Sequence, residues 1–221
     1  MKKHLPFDEH VTEYDSWFDA YPFVFKSEVE ALREMLPVGE ALSGIEVGLG
    51  TGRFSEALNI KEGVEPSQPM REVAIRRGIE IMDGVAEDLP YADLRFDFVL
   101  MAFCISYFDR LLPAFKEAFR VLKKDGCLVI GFLDKDSPIG KQYEEHKSES
   151  VFYKHANFYS VDKVQHDLKK AGFRYFNIAQ TLFRPLDQIN ELEHARPGYG
   201  EGSFIVIRAS KKPMKKPSYV E

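Results

Sequence analysis

Three glycines at alternate positions, Gly48, Gly50 and Gly52, follow directly on the short apolar run Gly44-Ile45-Glu46-Val47. A strand that ends in such a turn and continues into a helix from Arg53 points to an open α/β fold. There the chain can turn sharply, and a ligand can approach the backbone with no Cβ in its way. The spacing is GxGxG, which differs from the GxGxxG of nicotinamide-binding folds and argues against a dehydrogenase. Glu46, two residues before the first glycine, is placed to face a positively charged ligand group, directly or through water.

The rest of the chain repeats the strand-helix alternation. Apolar strand candidates fall at 44–48, 63–65, 79–82, 96–102, 127–133, 173–181 and 203–209, with helices at 53–59, 67–77, 109–123 and 161–171 between them. In the third helix Leu112, Phe115, Phe119 and Leu122 form an apolar stripe, with Asp109 as its cap and Gly126 just past its end. In the fourth, Ser160 caps, Val161, Val164 and Leu168 face inward, and Gly172 terminates. Upstream, Ser27 and Glu30 read as a capping box that opens a helix carrying Val29, Leu32, Met35 and Leu36, closed by Pro37. The pattern predicts a doubly wound α/β domain: seven strands, mostly parallel, with helices on both faces. Two stretches, 134–159 and 184–202, break the rhythm and read as long functional loops.

At 221 residues the chain suits one such domain with small appendages, divided as 1–36, 37–210 and 211–221. Hydrophobic residues at 44% and charged residues at 29% are those of an ordinary globular protein. The net charge of −5 argues against a nucleic-acid partner. Only the tail is basic, with Lys211, Lys212, Lys215 and Lys216. It reads as solvated chain, with RNA or an anionic surface as the alternative. Cys104 and Cys127 lie in apolar runs and read as buried free thiols of a reducing cytoplasm. No secretory leader or membrane span is expected, because no apolar run is long enough. The histidines lack paired ligand spacing, so no metal is expected.

Glu65, in Gly63-Val64-Glu65-Pro66-Ser67, places a carboxylate at the end of the second strand, where it can accept hydrogen bonds from both hydroxyls of a ribose. With that residue the chain resembles the class I S-adenosylmethionine-dependent methyltransferases, in particular the group related to the ubiquinone and menaquinone C-methyltransferases. The resemblance rests on Glu46-Val47-Gly48-Leu49-Gly50-Thr51-Gly52, Val64-Glu65-Pro66-Ser67, Ala86-Glu87-Asp88-Leu89-Pro90-Tyr91 and Phe96-Asp97-Phe98-Val99-Leu100. The stretches 117–126 and 168–173 and Tyr14-Asp15-Ser16-Trp17-Phe18-Asp19 add to it.

The resemblance implies S-adenosyl-L-methionine as cofactor, bound by residues 37–210. Glu46 would face the methionine end and Gly48, Gly50 and Gly52 would give backbone clearance. Glu65 would hold the ribose, Pro66, Ala86 and Glu87 would lie at the adenine, and Ala102 would lie on the floor of the cleft. Many relatives carry Asp where this chain has Val85, so the adenine would be held otherwise, with Asp83 as one substitute. No catalytic residue is fixed; His10, Tyr14, Tyr107 and His155 are the candidates. The aromatic segment 1–36, with residues 151–159, would form a lid. The expected reaction is methyl transfer to a small-molecule acceptor. An RNA- or protein-modifying methyltransferase and a non-catalytic S-adenosylmethionine-binding protein are the alternatives.

Overall fold

The computed structural model describes residues 5–39 and 41–213. The cluster Lys215-Lys216 of the basic tail lies outside them. Among the described residues, eight strands form one sheet in the order β3-β2-β1-β4-β5-β8-β6-β7. They are β1 (Gly44–Val47), β2 (Glu62–Val64), β3 (Glu80–Met82), β4 (Phe96–Ala102), β5 (Leu122–Leu133), β6 (Tyr175–Thr181), β7 (Arg196–Pro197) and β8 (Phe204–Ser210). The half from β3 to β5 is parallel. Strand β8 inserts antiparallel between β5 and β6. The eighth strand beyond the expected seven is β7, two residues paired antiparallel to the edge of β6.

Side chains alternate across the sheet as the pleat requires. Val99 and Met101 of β4, Leu128 and Ile130 of β5, and Ile205 and Ile207 of β8 belong to one core. Helices α6 (Leu111–Val121) and α8 (Val161–Ala171) cover it, with Phe115, Ala118, Val164 and Leu168 buried. Phe98, Leu100, Val129 and Val206 point the other way, into a second core under α3 (Pro22–Met35) and α4 (Arg53–Leu58). Each fully buried large side chain contributes about 1.5–3 kcal/mol relative to exposure, so the two cores hold the sheet from both faces.

Several boundaries differ from the sequence reading for local reasons. Helix α3 begins at Pro22, whose fixed φ suits a first helical turn, so Ser27 lies mid-helix and is no cap. The Ser27 hydroxyl donates to the Phe23 carbonyl at 2.7 Å and accepts from the Glu193 amide at 2.9 Å. Helix α6 starts at Leu111 with Arg110 as its extended cap residue; the Asp109 amide instead donates to Glu87 Oε1 at 2.9 Å. It ends at Val121, because Lys123 to Gly126 join β5 across a register shift against β4. The supposed loop 134–159 holds α7 (Pro138–His146), capped by the Ser137 hydroxyl. Residues 184–202 hold a one-turn helix (Leu186–Gln188) and β7. Ser160 does cap α8, and Gly172 ends it at φ 118°.

Helices α1 (Leu5–Glu9) and α2 (Val11–Ala20) precede α3 and lie over the C-terminal ends of the strands. They are tied down by ions as well as by rings. Arg53 Nη2 meets Asp15 Oδ2 at 2.7 Å and Asp19 Oδ2 at 2.9 Å, and Arg77 Nη2 meets Asp15 Oδ2 at 3.0 Å. Burial opposes the charge on Asp15, but hydrogen bonds from Arg53 and the Arg77 charge outweigh it, holding the carboxyl below its usual range.

Candidate active site

The turn after β1 is built by backbone geometry. Gly48, Gly50 and Gly52 all have positive φ, at 68°, 56° and 82°. Their missing side chains serve different ends. At Gly52 a Cβ would stand 2.5 Å from Ile79 Cδ1 and 3.0 Å from Ala74 Cβ, so this glycine lets α5 (Gln68–Arg76) pack against the turn. At Gly50 a Cβ would project toward the Tyr14 hydroxyl, 3.4 Å away, on the open side of the turn.

Glu65, just past β2, is oriented by that turn. Its Oε2 accepts from the Gly50 amide and its Oε1 from the Ser67 amide, both at 2.9 Å. Two backbone donors thus fix a buried carboxylate beside the glycines. Glu46 lies behind the turn: it is buried, accepts a short hydrogen bond from the Ser55 hydroxyl, and does not line the cavity in front. Burial pushes its carboxyl up to about 8, against the lowering effect of Ser55.

A cavity of about 760 Å³ opens in front of the turn, within the range of small-molecule sites. The order of the strands divides it. Gly48, Gly50, Glu65, Pro66, Ala86 and Glu87 line the part over β1 and β2, and Ala102, Phe103 and Cys104 the part at the end of β4. Leu133, Leu182, Tyr143 and Glu28 line the part toward β5, β6 and α3. Among the described lining residues are five acids (Glu13, Glu28, Glu65, Glu87 and Asp109) and no lysine, arginine or histidine.

Of the candidate catalytic residues, Tyr14 and Tyr107 line the cavity. Burial raises both phenols, helped at Tyr14 by Tyr107 and the nearby acids and at Tyr107 by Tyr143. They therefore stay protonated at neutral pH. The structure does not bring His10 or His155 to the cavity. His10 Nδ1 is 3.1 Å from Glu13 Oε2, and His155 is exposed. Asp83 is also turned away, paired with Arg71 at 2.9 Å, while Val85 and Ala86 line the wall. Cys104 is buried, and desolvation raises its thiol well above the ordinary range, so it is no nucleophile.

Aromatic rings cover part of the cavity. Phe7 of α1 meets Tyr107 edge-on at 4.8 Å and Phe152 at 5.5 Å, and Tyr14 of α2 meets Phe152 at 5.9 Å. Thus α1, α2 and the stretch after α7 share one set of contacts. Sequence reasoning missed Glu28, Tyr143, Leu182 and Leu186 as wall residues. For Glu28 a signal existed: from Pro22 onward the helical period places Val24, Glu28, Ala31 and Leu32 on one inward stripe.

The sheet carries a glycine turn after β1 and a buried acid just past β2, and the chain belongs to the class I S-adenosylmethionine-dependent methyltransferases. The family model described as a methyltransferase domain matches residues 45–130. A crystal structure from Thermotoga maritima, described as a SAM-dependent methyltransferase and possible histamine N-methyltransferase, is 45% identical with a TM-score of 0.90, covering 94% of this chain and 98% of that one. An uncharacterized protein of Methanocaldococcus jannaschii is 43% identical over 205 residues, 93% of this chain and 98% of that protein. Likeness to a ubiquinone/menaquinone biosynthesis C-methyltransferase of Sinorhizobium fredii is partial, 30% over 107 residues, 48% of this chain and 42% of that protein. The cofactor is S-adenosylmethionine.

Proposed function

We propose that this methyltransferase acts on a small diffusible acceptor enclosed with the cofactor in the 760 Å³ cavity. The observation that carries the reading is the cover: Phe7, Tyr14 and Phe152 meet over the cleft, which favours a small acceptor over a polymer. The all-acidic set of charged wall residues also disfavours a phosphate backbone. The Thermotoga maritima protein is described as a possible histamine N-methyltransferase, and histamine is of this size class.

Bound S-adenosylmethionine supplies a methyl group on a sulfonium, a leaving group that needs no further activation. The chain has to align the acceptor with that methyl and exclude water. In this reading Glu65 holds the ribose hydroxyls and Gly50 leaves the backbone clear, while Gly48, where a Cβ would stand 2.6 Å from Cys104 Cβ, lets the end of β4 pack against the turn. Pro66, Ala86 and Glu87 border the adenine, with apolar and backbone contacts in place of an acid at Val85. Glu46 acts from behind the turn on the methionine end, and Ala102 lies on the floor. Tyr14 and Tyr107 donate hydrogen bonds that orient the reactants, and α1, α2 and residues 151–159 shut out solvent as a lid.

The test is a methyl-transfer screen of a metabolite extract with label in the cofactor methyl group, comparing wild type with Glu65→Ala. A labelled small product made by wild type and lost in the variant supports the reading. Label entering only RNA or protein fractions overturns it.

A further inference from the structure

Glu28 is 1% exposed, yet it lines the cavity, and its Oε2 has no hydrogen-bond partner among the described residues. A buried carboxyl without a partner costs several kcal/mol as an anion, and more than an apolar side chain even when neutral. Desolvation, with no compensating group, drives its proton affinity well above that of an ordinary carboxyl. The chain carries this cost on the inner stripe of α3, where Leu32 and Val24 are otherwise apolar and fully packed. Nothing in the fold uses the group. It is an unpartnered acceptor on a residue of the cavity wall, on the α3 side and away from the glycine turn.

The surroundings narrow what could satisfy it. Tyr143 and Tyr153 lie near enough for their phenols to feel the Glu28 charge. Their rings stand 4.7 Å apart, and Phe158 lies 5.7 Å from Tyr153. No basic side chain lines the cavity among the described residues, so an anionic group finds no counter-charge. A cationic nitrogen meets each condition. Its N–H groups fill the vacant acceptor, its charge pairs with the carboxylate, and aromatic faces nearby attract it.

We propose that Glu28 is the specificity-determining anchor for a protonated amine on the methyl acceptor, which is therefore a small amine. This rests on the reading of the cavity as an acceptor site. A nitrogen held by Glu28 keeps its proton and has no lone pair to offer. The atom that takes the methyl is then a second one on the same molecule, nearer Phe103 and Cys104 at the end of β4. The acceptor is bifunctional, anchored at one end and methylated at the other.

The test uses the full chain saturated with S-adenosylhomocysteine and matched probe pairs: n-butylamine against n-butanol, and 2-phenylethylamine against 2-phenylethanol. Calorimetry should show the amine of each pair binding at least about tenfold more tightly to wild type, with the preference lost in Glu28→Gln. Affinity for S-adenosylhomocysteine should stay within about twofold, and Tm should not fall, because the amide keeps the shape and removes a buried ionisable group. Equal binding of amine and alcohol to wild type, or a preference that survives in Glu28→Gln, overturns the proposal. If the wild-type chain does not bind S-adenosylhomocysteine at all, the reading of the cavity itself fails, which separates the two.

Discussion

Replacing Glu65 by alanine should weaken cofactor binding by about 2 kcal/mol or more, roughly 30-fold in Kd, because ribose hydroxyls lose a charged acceptor. The structure adds a second cost. Glu65 also takes the amides of Gly50 and Ser67, and Ser67 is fully buried at the start of α5. Stranding a buried amide costs about 1–3 kcal/mol, so Tm should fall by several degrees as well. Glu65→Gln separates the two effects. Its amide keeps the shape, but one end must turn an NH2 group toward either the Gly50 or the Ser67 N–H, donor against donor. The substitution that looks conservative should therefore approach alanine in effect. The assay is calorimetric titration with S-adenosylhomocysteine well below each variant's Tm, with circular dichroism to confirm the folded fraction. An unchanged Kd in folded Glu65→Ala would refute the ribose assignment. Wild-type behaviour in Glu65→Gln would refute the donor-donor argument.

Gly52→Ala should destabilise by about 2–4 kcal/mol, read by urea unfolding, since its Cβ would press into Ile79 and Ala74 at a φ of 82°. Gly50→Ala should cost stability less and cofactor affinity more, because its Cβ faces the cleft. Asp15→Ala should free the cover by about 2 kcal/mol, seen as faster hydrogen exchange across α2 and an altered Trp17 emission, with turnover falling more than cofactor affinity. Because the Asp15 carboxyl is held below its usual range, the wild-type clasp is in place above about pH 4 and is lost as pH falls through the lowered value. Glu46 has the opposite sign. Its carboxyl is raised to about 8, so the stability it contributes is full below its unfolded value and fades as pH rises through about 8. Thermal melts from pH 5 to 9 should show wild type losing ground to Glu46→Gln.

The half of the site that was legible in the sequence is the half made by consecutive residues. The glycine turn and Glu65 are set by backbone conformation over short stretches, and their spacing survives in one dimension. The other half is assembled from α3, α7 and the segment near Leu182, which the insertion of β8 between β5 and β6 brings together from distant parts of the chain. Long-range contacts such as the Glu193 amide on Ser27 have no local signature. The pattern carries helix α6 two residues too far at each end for a related reason: Arg110 is extended, and Leu122 already pairs with Phe96 of β4, so propensity yields to that context.

Glu28 shows how one boundary error can hide a site. Read as part of a capping box, Glu28 sits in an exposed first turn, where an acid is stabilised by the helix dipole and needs no further explanation. Begun at Pro22 instead, the same helix carries Glu28 one turn after Val24 and one before Leu32, inside its apolar stripe. An acid at that place has to be neutral, paired or ligand-bound. Its Oε2 has no partner among the described residues, and the residue lies on the cavity wall. The residue that costs the fold something is thus the one that distinguishes this cavity from a generic nucleoside cleft. Substitutions on the glycine side should change whether the cofactor binds, and substitutions at Glu28 should change which acceptor does.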